Sequence, residues 1–188
     1  MRRRLAVALV HYPVVDGHGA IVTTAVTNLD VHDLARSART YDCSDYFVIH
    51  PIEAQRELVL RIRTHWTDGS SAKRIPDRRE ALSRLRIVSG LDEVWDALGG
   101  RACVEVWATA ARDIGPTIAF AQGRERLSDP SDSRAVVLLF GTGWGLAQGV
   151  IALSDSVLEP IRATDESYNH LSVRAACAIA LDRLRGAR

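Results

Sequence analysis

Leu139-Phe-Gly-Thr-Gly-Trp-Gly-Leu146, the stretch LFGTGWGL, sets Gly141, Gly143 and Gly145 at every second position, directly after the apolar run Ala135 to Phe140. Glycines this dense make tight turns or let main chain come close to a bound group. The run before them has no polar alternation, the pattern of a mid-sheet strand with both faces covered. A phosphate loop is excluded, because it needs a Lys followed by Ser or Thr, and Gly145-Leu-Ala-Gln-Gly149 carries no cation. A dinucleotide fingerprint is also disfavoured. It belongs to an early βαβ unit, whereas here Leu146 replaces the third glycine three quarters of the way down the chain. A ligand held by bare main chain remains, beside the plainer reading of a strand-to-helix turn.

Outward from this block, strand-like and helix-like segments take turns. Leu5 to Val10 and Ile21 to Val26 read as strands around the turn Asp16-Gly-His-Gly19, and Tyr46 to Ile49, Arg86 to Ser89, Ala102 to Trp107 and Val157 to Ile161 continue the series. Helices are predicted over Asp30–Tyr41, Glu53–Trp66, Asp77–Leu85, Leu91–Leu98, Pro116–Leu127 and His170–Leu184, with a flexible loop over Thr67–Pro76. Such alternation predicts an α/β fold with a largely parallel sheet. The last helix is apolar nearly all round, so it must be buried within the fold or against a second subunit. Asn169 reads as its N-cap, with Ser172 at the third helical position.

A chain of 188 residues fits a single domain able to bury its own core. Cys43, Cys103 and Cys177 are odd in number and far apart, so they read as buried free thiols in a reducing cytoplasm. The basic start Met1-Arg-Arg-Arg4 lacks the long apolar run of an export signal, and no apolar stretch reaches the roughly 18 residues of a membrane span. Net charge is +1, with 24 basic residues of which only Lys73 is Lys. That balance leaves no global footprint for nucleic acid, although Arg is the cation suited to phosphate contacts.

The blocks HYPV (from His11), TAVTNLDVHDLARSARTY (from Thr24), FGTGWGL and YNHLSVRAACAIALDRL (from Tyr168) together resemble the SPOUT class of S-adenosylmethionine-dependent RNA methyltransferases, over His11 to Leu184. The resemblance implies a Rossmann-like, mostly parallel sheet ending in a deep trefoil knot, in one domain spanning 1–188 with the knot at about 134–185. It implies S-adenosylmethionine as cofactor, S-adenosylhomocysteine as product and no metal. A sulfonium nucleoside carries no phosphate, which accounts for a glycine loop without lysine. The implied cofactor contacts are Thr109, Ala110, Phe140, Gly141, Thr142, Gly143, Gly145, Pro160, Ile161, Tyr168, Asn169, His170, Leu171 and Val173. The family's first motif falls on Asp30 to Arg36, giving Arg36 the catalytic-arginine role. Asp30 stands where the family has Asn and His32 where it has Gly, and either could be a base. From the residues alone, Arg36 is a solvated helix residue, Arg174 pairs with a carboxylate, and Trp144 is interface or core. A cytoplasmic homodimer acting on tRNA or rRNA is implied. The alternatives are a peptide, protein or small-molecule acceptor, or a regulator that binds the cofactor without catalysis.

Overall fold

The computed structural model describes residues 2–69, 71–165 and 167–187. Six strands, β1 (Leu5–Val10), β4 (Asp45–Ile49), β5 (Leu85–Val88), β6 (Val104–Ala108), β7 (Ala135–Gly141) and β8 (Ser156–Val157), form one sheet in the order β5-β4-β1-β7-β6-β8. Every pairing in it is parallel. β7 lies between β1 and β6, with Leu5 opposite Val136 and Val106 opposite Val137, as its unbroken apolar run requires. Two strands, β2 (Val14–Val15) and β3 (Ile21–Val22), pair as a separate antiparallel hairpin.

Strand side chains point alternately to the two faces, and each face has its own core. Leu5, Val7 and Leu9 pack with α1 (Asn28–Thr40), α2 (Glu53–Thr67), α4 (Pro76–Ser83), α6 (Phe120–Ser128) and α8 (Val173–Arg185). Ala6, Ala8 and Val10 pack with α5 (Leu91–Ala97), α7 (Gln148–Ala152) and the hairpin. Chain order leaves β1 toward β4 on one side, whereas β6 and β7 lie on the other, so the order reverses between β1 and β7. In open α/β sheets such a reversal leaves a crevice beyond the carboxyl ends of the strands.

Several local expectations change. The predicted loop Thr67–Pro76 contains a short helix, α3 (Ser71–Arg74). Ile21–Val26 keeps only two strand residues, and Val157–Ile161 contributes Val157 to β8. Pro116–Leu127 becomes helical only from Phe120, because Ile118 instead bridges to Leu158. Cys43 and Cys177 are buried, but Cys103 is exposed. The last helix is capped by Ser172, whose hydroxyl accepts from the Ala175 N–H at 3.2 Å, and not by Asn169, whose amide is used elsewhere. Its buried side is Cys177, Ala180, Leu181 and Leu184, while Ala175, Ala178 and Ile179 are only half-buried. No described helix is long and apolar enough to cross a membrane.

Candidate functional site

A cavity of about 1010 Å³ opens at the switch point, beyond the ends of β1, β6 and β7. Two segments far apart in sequence meet there. The turn after β7 supplies Phe140, Gly141, Thr142, Gly143 and Gly145, and the approach to α8 supplies Asn169, His170, Leu171 and Val173. Thr109 and Ala110, after β6, and Ile161 complete the predicted residues on this wall. Pro160 and Tyr168 fall outside the lining: Pro160 is buried, and Tyr168 is 70% exposed with its ring against His170.

Local geometry explains why the sequence is so bare here. Gly143 and Gly145 have φ of +61° and +112°, a region that costs side-chain-bearing residues roughly 1–3 kcal/mol. A Cβ on Gly141 would sit 2.5 Å from the Leu146 nitrogen and 2.7 Å from the Gly145 carbonyl carbon, so only glycine closes the turn. Around Gly145 that added atom would meet nothing within 4 Å; its main chain borders open space. Asn169 ties the second wall together. Its amide donates to the carbonyls of Ala111 at 2.9 Å and Ile161 at 3.1 Å, joining the loops after β6 and β8 just before α8 begins. Capping was sacrificed to that bridge, which is why the helix starts three residues later than its sequence suggests.

Beneath the glycine turn lies a polar layer that the sequence did not announce. His11 Nδ1 is 3.0 Å from the Thr24 hydroxyl, which also bonds the Thr142 hydroxyl. His50 Nδ1 accepts from the Ile52 N–H at 3.1 Å, so its Nε2 carries the proton and donates to the Thr24 carbonyl at 3.0 Å. Burial, reinforced by His50, pushes the His11 imidazole down to about 4. Both Thr24 and Thr142 line the cavity. The layer thus anchors the hairpin connection to the turn with neutral groups.

The three first-motif candidates separate. Asp30 lines the cavity; its carboxylate accepts from the Thr27 hydroxyl at 2.6 Å and lies 3.8 Å from Arg174 Nε. Arg174 is thus placed between Asp30 and Asp33, within its own chain. His32 and Arg36 are not among the lining residues. His32 turns toward α2, edge-on to Trp66 at 5.5 Å, and burial with Arg78 and Arg36 nearby lowers its pKa. Arg36 is exposed: helical periodicity carries it off the face that Asp30 presents. Trp144 is 63% exposed at the cavity rim, its ring edge-on to His170 at 6.1 Å. Sequence reasoning missed Thr24, Thr27 and Glu159 as lining residues; Thr24 and Thr27 lie inside the quoted TAVTNLDV block, but Glu159 had no local signal.

The donor set suits a phosphate-free nucleoside with a cationic centre. Apolar walls from Phe120, Phe140, Leu158 and Ile161 can take a flat ring, main chain offers close contact, and Glu159 and Asp30 supply negative charge. Among the described residues no cluster of metal-binding side chains exists. Residues 4–186 match the family model of the SAM-dependent RNA methyltransferases. The chain belongs to that family. It is 43% identical, over 98% of its length, to a tRNA (guanine-N(1)-)-methyltransferase of Oleidesulfovibrio alaskensis. It spans only 42% of the length of that relative. Among solved structures, a probable methyltransferase from Bordetella pertussis Tohama I has a TM-score of 0.63 at 19% identity, over 97% of this chain and 95% of that one. The SpoU methyltransferase AviRb from Streptomyces viridochromogenes, solved in complex with AdoMet, has a TM-score of 0.58 at 15% identity, over 98% of this chain and 57% of that one. These structural likenesses show the α/β fold, and the family to which the chain belongs is that of the SAM-dependent RNA methyltransferases.

Proposed function

We propose that the cavity at the switch point binds S-adenosylmethionine and that a tRNA base, approaching past Asp30, accepts the methyl group. The observation that carries this reading is the meeting of the Gly141–Gly145 turn and the Asn169–Val173 segment on one cavity. Bound there, the cofactor supplies a methyl group activated by its sulfonium. The chain's part is positional. Main chain at Gly143 and Gly145 and the walls Phe140 and Ile161 hold the nucleoside, and Asn169 keeps the two loops in register. Alignment of acceptor and methyl at about 3–3.5 Å is the largest gain such a site can offer. Asp30 is the chain's candidate proton acceptor, adding roughly 10²- to 10⁴-fold where the acceptor is a ring N–H; Thr27 holds its other oxygen in place. Arg36 cannot take a proton at neutral pH.

The tRNA acceptor follows from the name of the Oleidesulfovibrio relative, a protein more than twice this chain's length, and guanine N1 is accordingly the first atom to test. We propose one domain over the whole chain, with the knot at about 134–185, and a homodimer in the cytoplasm. Support for the dimer comes from exposed Leu29, Trp144, Tyr168 and Leu171 around the rim and from the half-buried outer face of α8. A second copy would cover these and bring the partner's Arg36 toward the cavity. One observation favours a cofactor-binding regulator instead: of the three first-motif candidates, only Asp30 reaches the cavity.

Calorimetric titration with S-adenosylmethionine and S-adenosylhomocysteine, followed by transfer of labelled methyl to total tRNA, tests the reading. Micromolar binding with transfer is expected, and Gly141→Ala should weaken binding at least tenfold by forcing the turn open. Binding without transfer to any RNA would overturn the tRNA acceptor and favour the regulator or an acceptor that is not RNA. No binding would end the enzyme reading.

A further inference from the structure

A second feature lies outside the cavity lining, on α2, α3 and α4, and meets α1 at His32. Between residues 61 and 79 stand six cations, Arg61, Arg63, Lys73, Arg74, Arg78 and Arg79, against two acids, Asp68 and Asp77, a net of +4 in a chain whose total is +1. Elsewhere ten arginines pair with carboxylates, among them Arg3 with Glu105 and Asp132, Arg101 with Asp155 and Arg162 with Asp113. Here Arg61, Arg63, Lys73 and Arg79 have no ion-pair partner among the described residues, and Arg61, Lys73 and Arg79 are exposed.

The centre of the patch is aromatic. The Arg78 guanidinium lies over the Trp66 ring at 4.4 Å, and His32 meets the same ring edge-on at 5.5 Å. Stacking fixes the plane of Arg78 while leaving donors on its edges unused, which is the presentation that suits phosphate oxygens. His32 stays neutral at physiological pH because burial and the charges of Arg78 and Arg36 both oppose its protonation, so it carries the stack without adding to the repulsion. Two acids on the neighbouring helix turns are engaged elsewhere, Glu80 with Arg39 at 2.5 Å and Asp33 toward Arg174 at 4.0 Å, which leaves Asp68 and Asp77 against the six cations. Position matters as much as charge. α1 runs from the cavity-lining Asp30 to Arg36 over six residues, roughly 9 Å of helix at about 1.5 Å per residue, and His32 joins this helix to the stack.

We infer that the surface of α1, α2 and α4 around Trp66 and Arg78 docks the phosphate backbone of the RNA whose base enters the cavity. The inference rests on the RNA reading above. It explains how a chain of near-zero net charge engages a polyanion: the charge is local, and excess acid elsewhere keeps non-specific contact down.

The experiment measures binding of total tRNA by fluorescence anisotropy across a salt series, with S-adenosylmethionine affinity recorded on each protein. The triple variant Lys73→Gln/Arg78→Gln/Arg79→Gln should bind at least tenfold more weakly. Its slope of log affinity against log salt should fall by roughly two to three, about 0.7–0.9 for each phosphate that is no longer neutralised, with cofactor affinity unchanged. Arg79→Glu alone, exposed and without a partner, should lower the slope by about one or more with no effect on packing, and Arg78→Lys should recover part of what Arg78→Gln loses. Unchanged slopes in both the triple variant and Arg79→Glu would overturn the inference while the RNA reading stood. A change of sedimenting mass in place of RNA affinity would also overturn it, making the patch a contact between copies. Wild-type protein that binds the cofactor but no RNA at low salt would remove the RNA reading, and this inference with it.

Discussion

The two ends of the sheet are built from opposite materials. At the carboxyl ends of β1, β6 and β7 the chain uses glycine main chain, hydroxyls and neutral imidazoles around a large open cavity. At the amino ends it uses buried charge. Glu105 is 5% exposed; it pairs with Arg3 at 2.7 Å and Arg126 at 3.3 Å and accepts from the Trp107 indole at 2.8 Å, while Arg3 reaches Asp132 at 3.2 Å. Contact with Arg134 and Arg3 holds the Asp132 carboxyl down at about 2. One end is a closed, ion-paired lock and the other a glycine-built rim around the proposed cofactor site. Stability and binding are therefore separable by position, and three measurements can break or sharpen that division.

The largest effect is expected at the lock. Glu105→Ala leaves Arg3 buried at 6% exposure with its strongest partner gone, and breaking such a pair costs about 3–5 kcal/mol. Denaturant unfolding should show that loss, while the surviving folded protein binds cofactor with unchanged affinity; a parallel loss of affinity would show that the two ends are coupled. Next comes the layer under the rim. His11 has an ordinary value of 6.5 but is held near 4 in the fold, so the unfolded chain binds the extra proton between these values. Stability is complete above pH 6.5 and falls as pH drops toward 4, by ~3 kcal/mol in all at 1.36 kcal/mol per unit. Unfolding midpoints from pH 7 to 4.5 should show this slope. His11→Asn should flatten it, with the remainder due to His50 and His32, both also lowered by burial; an unaltered slope would remove His11 from the account. The smallest effect belongs to the rim. Asn169→Ala loses two hydrogen bonds of about 1 kcal/mol each, so it should weaken cofactor binding roughly fivefold to tenfold and lower global stability by no more than about 2 kcal/mol.

The same division governs what the sequence revealed. β1, β4 and β7 were legible because both faces are covered, so their apolar runs are unbroken. α1 and α2 were legible from their 3.6-residue spacing. Most of the rim was also readable, since Gly141, Gly143 and Gly145 can be explained only by main-chain geometry. Side chains that work by tertiary placement were not. Asn169 has the chemistry of a cap and serves as a bridge; Arg36 and His32 share a motif with Asp30 but leave the cavity through helical rotation. Glu159 and the His11–Thr24–Thr142 layer depend on chain segments far apart in sequence, which no local pattern reports. Stacking of Arg78 over Trp66 was likewise hidden by a total charge of only +1.

The place of β7 also bears on how the molecule comes into being. Leu5 pairs with Val136, so the hydrogen-bonding flank of β1 on that side stays unmatched until a strand 131 positions later arrives. At roughly 5–20 residues per second of synthesis, that is a wait on the order of ten seconds. During it the nascent β1-β4-β5 half presents an edge of unpaired main-chain N–H and C=O groups to the cell, and long-range parallel pairings of this kind close slowly. Chaperone demand during translation, more than fragility of the finished fold, should therefore limit how much of it a cell can make.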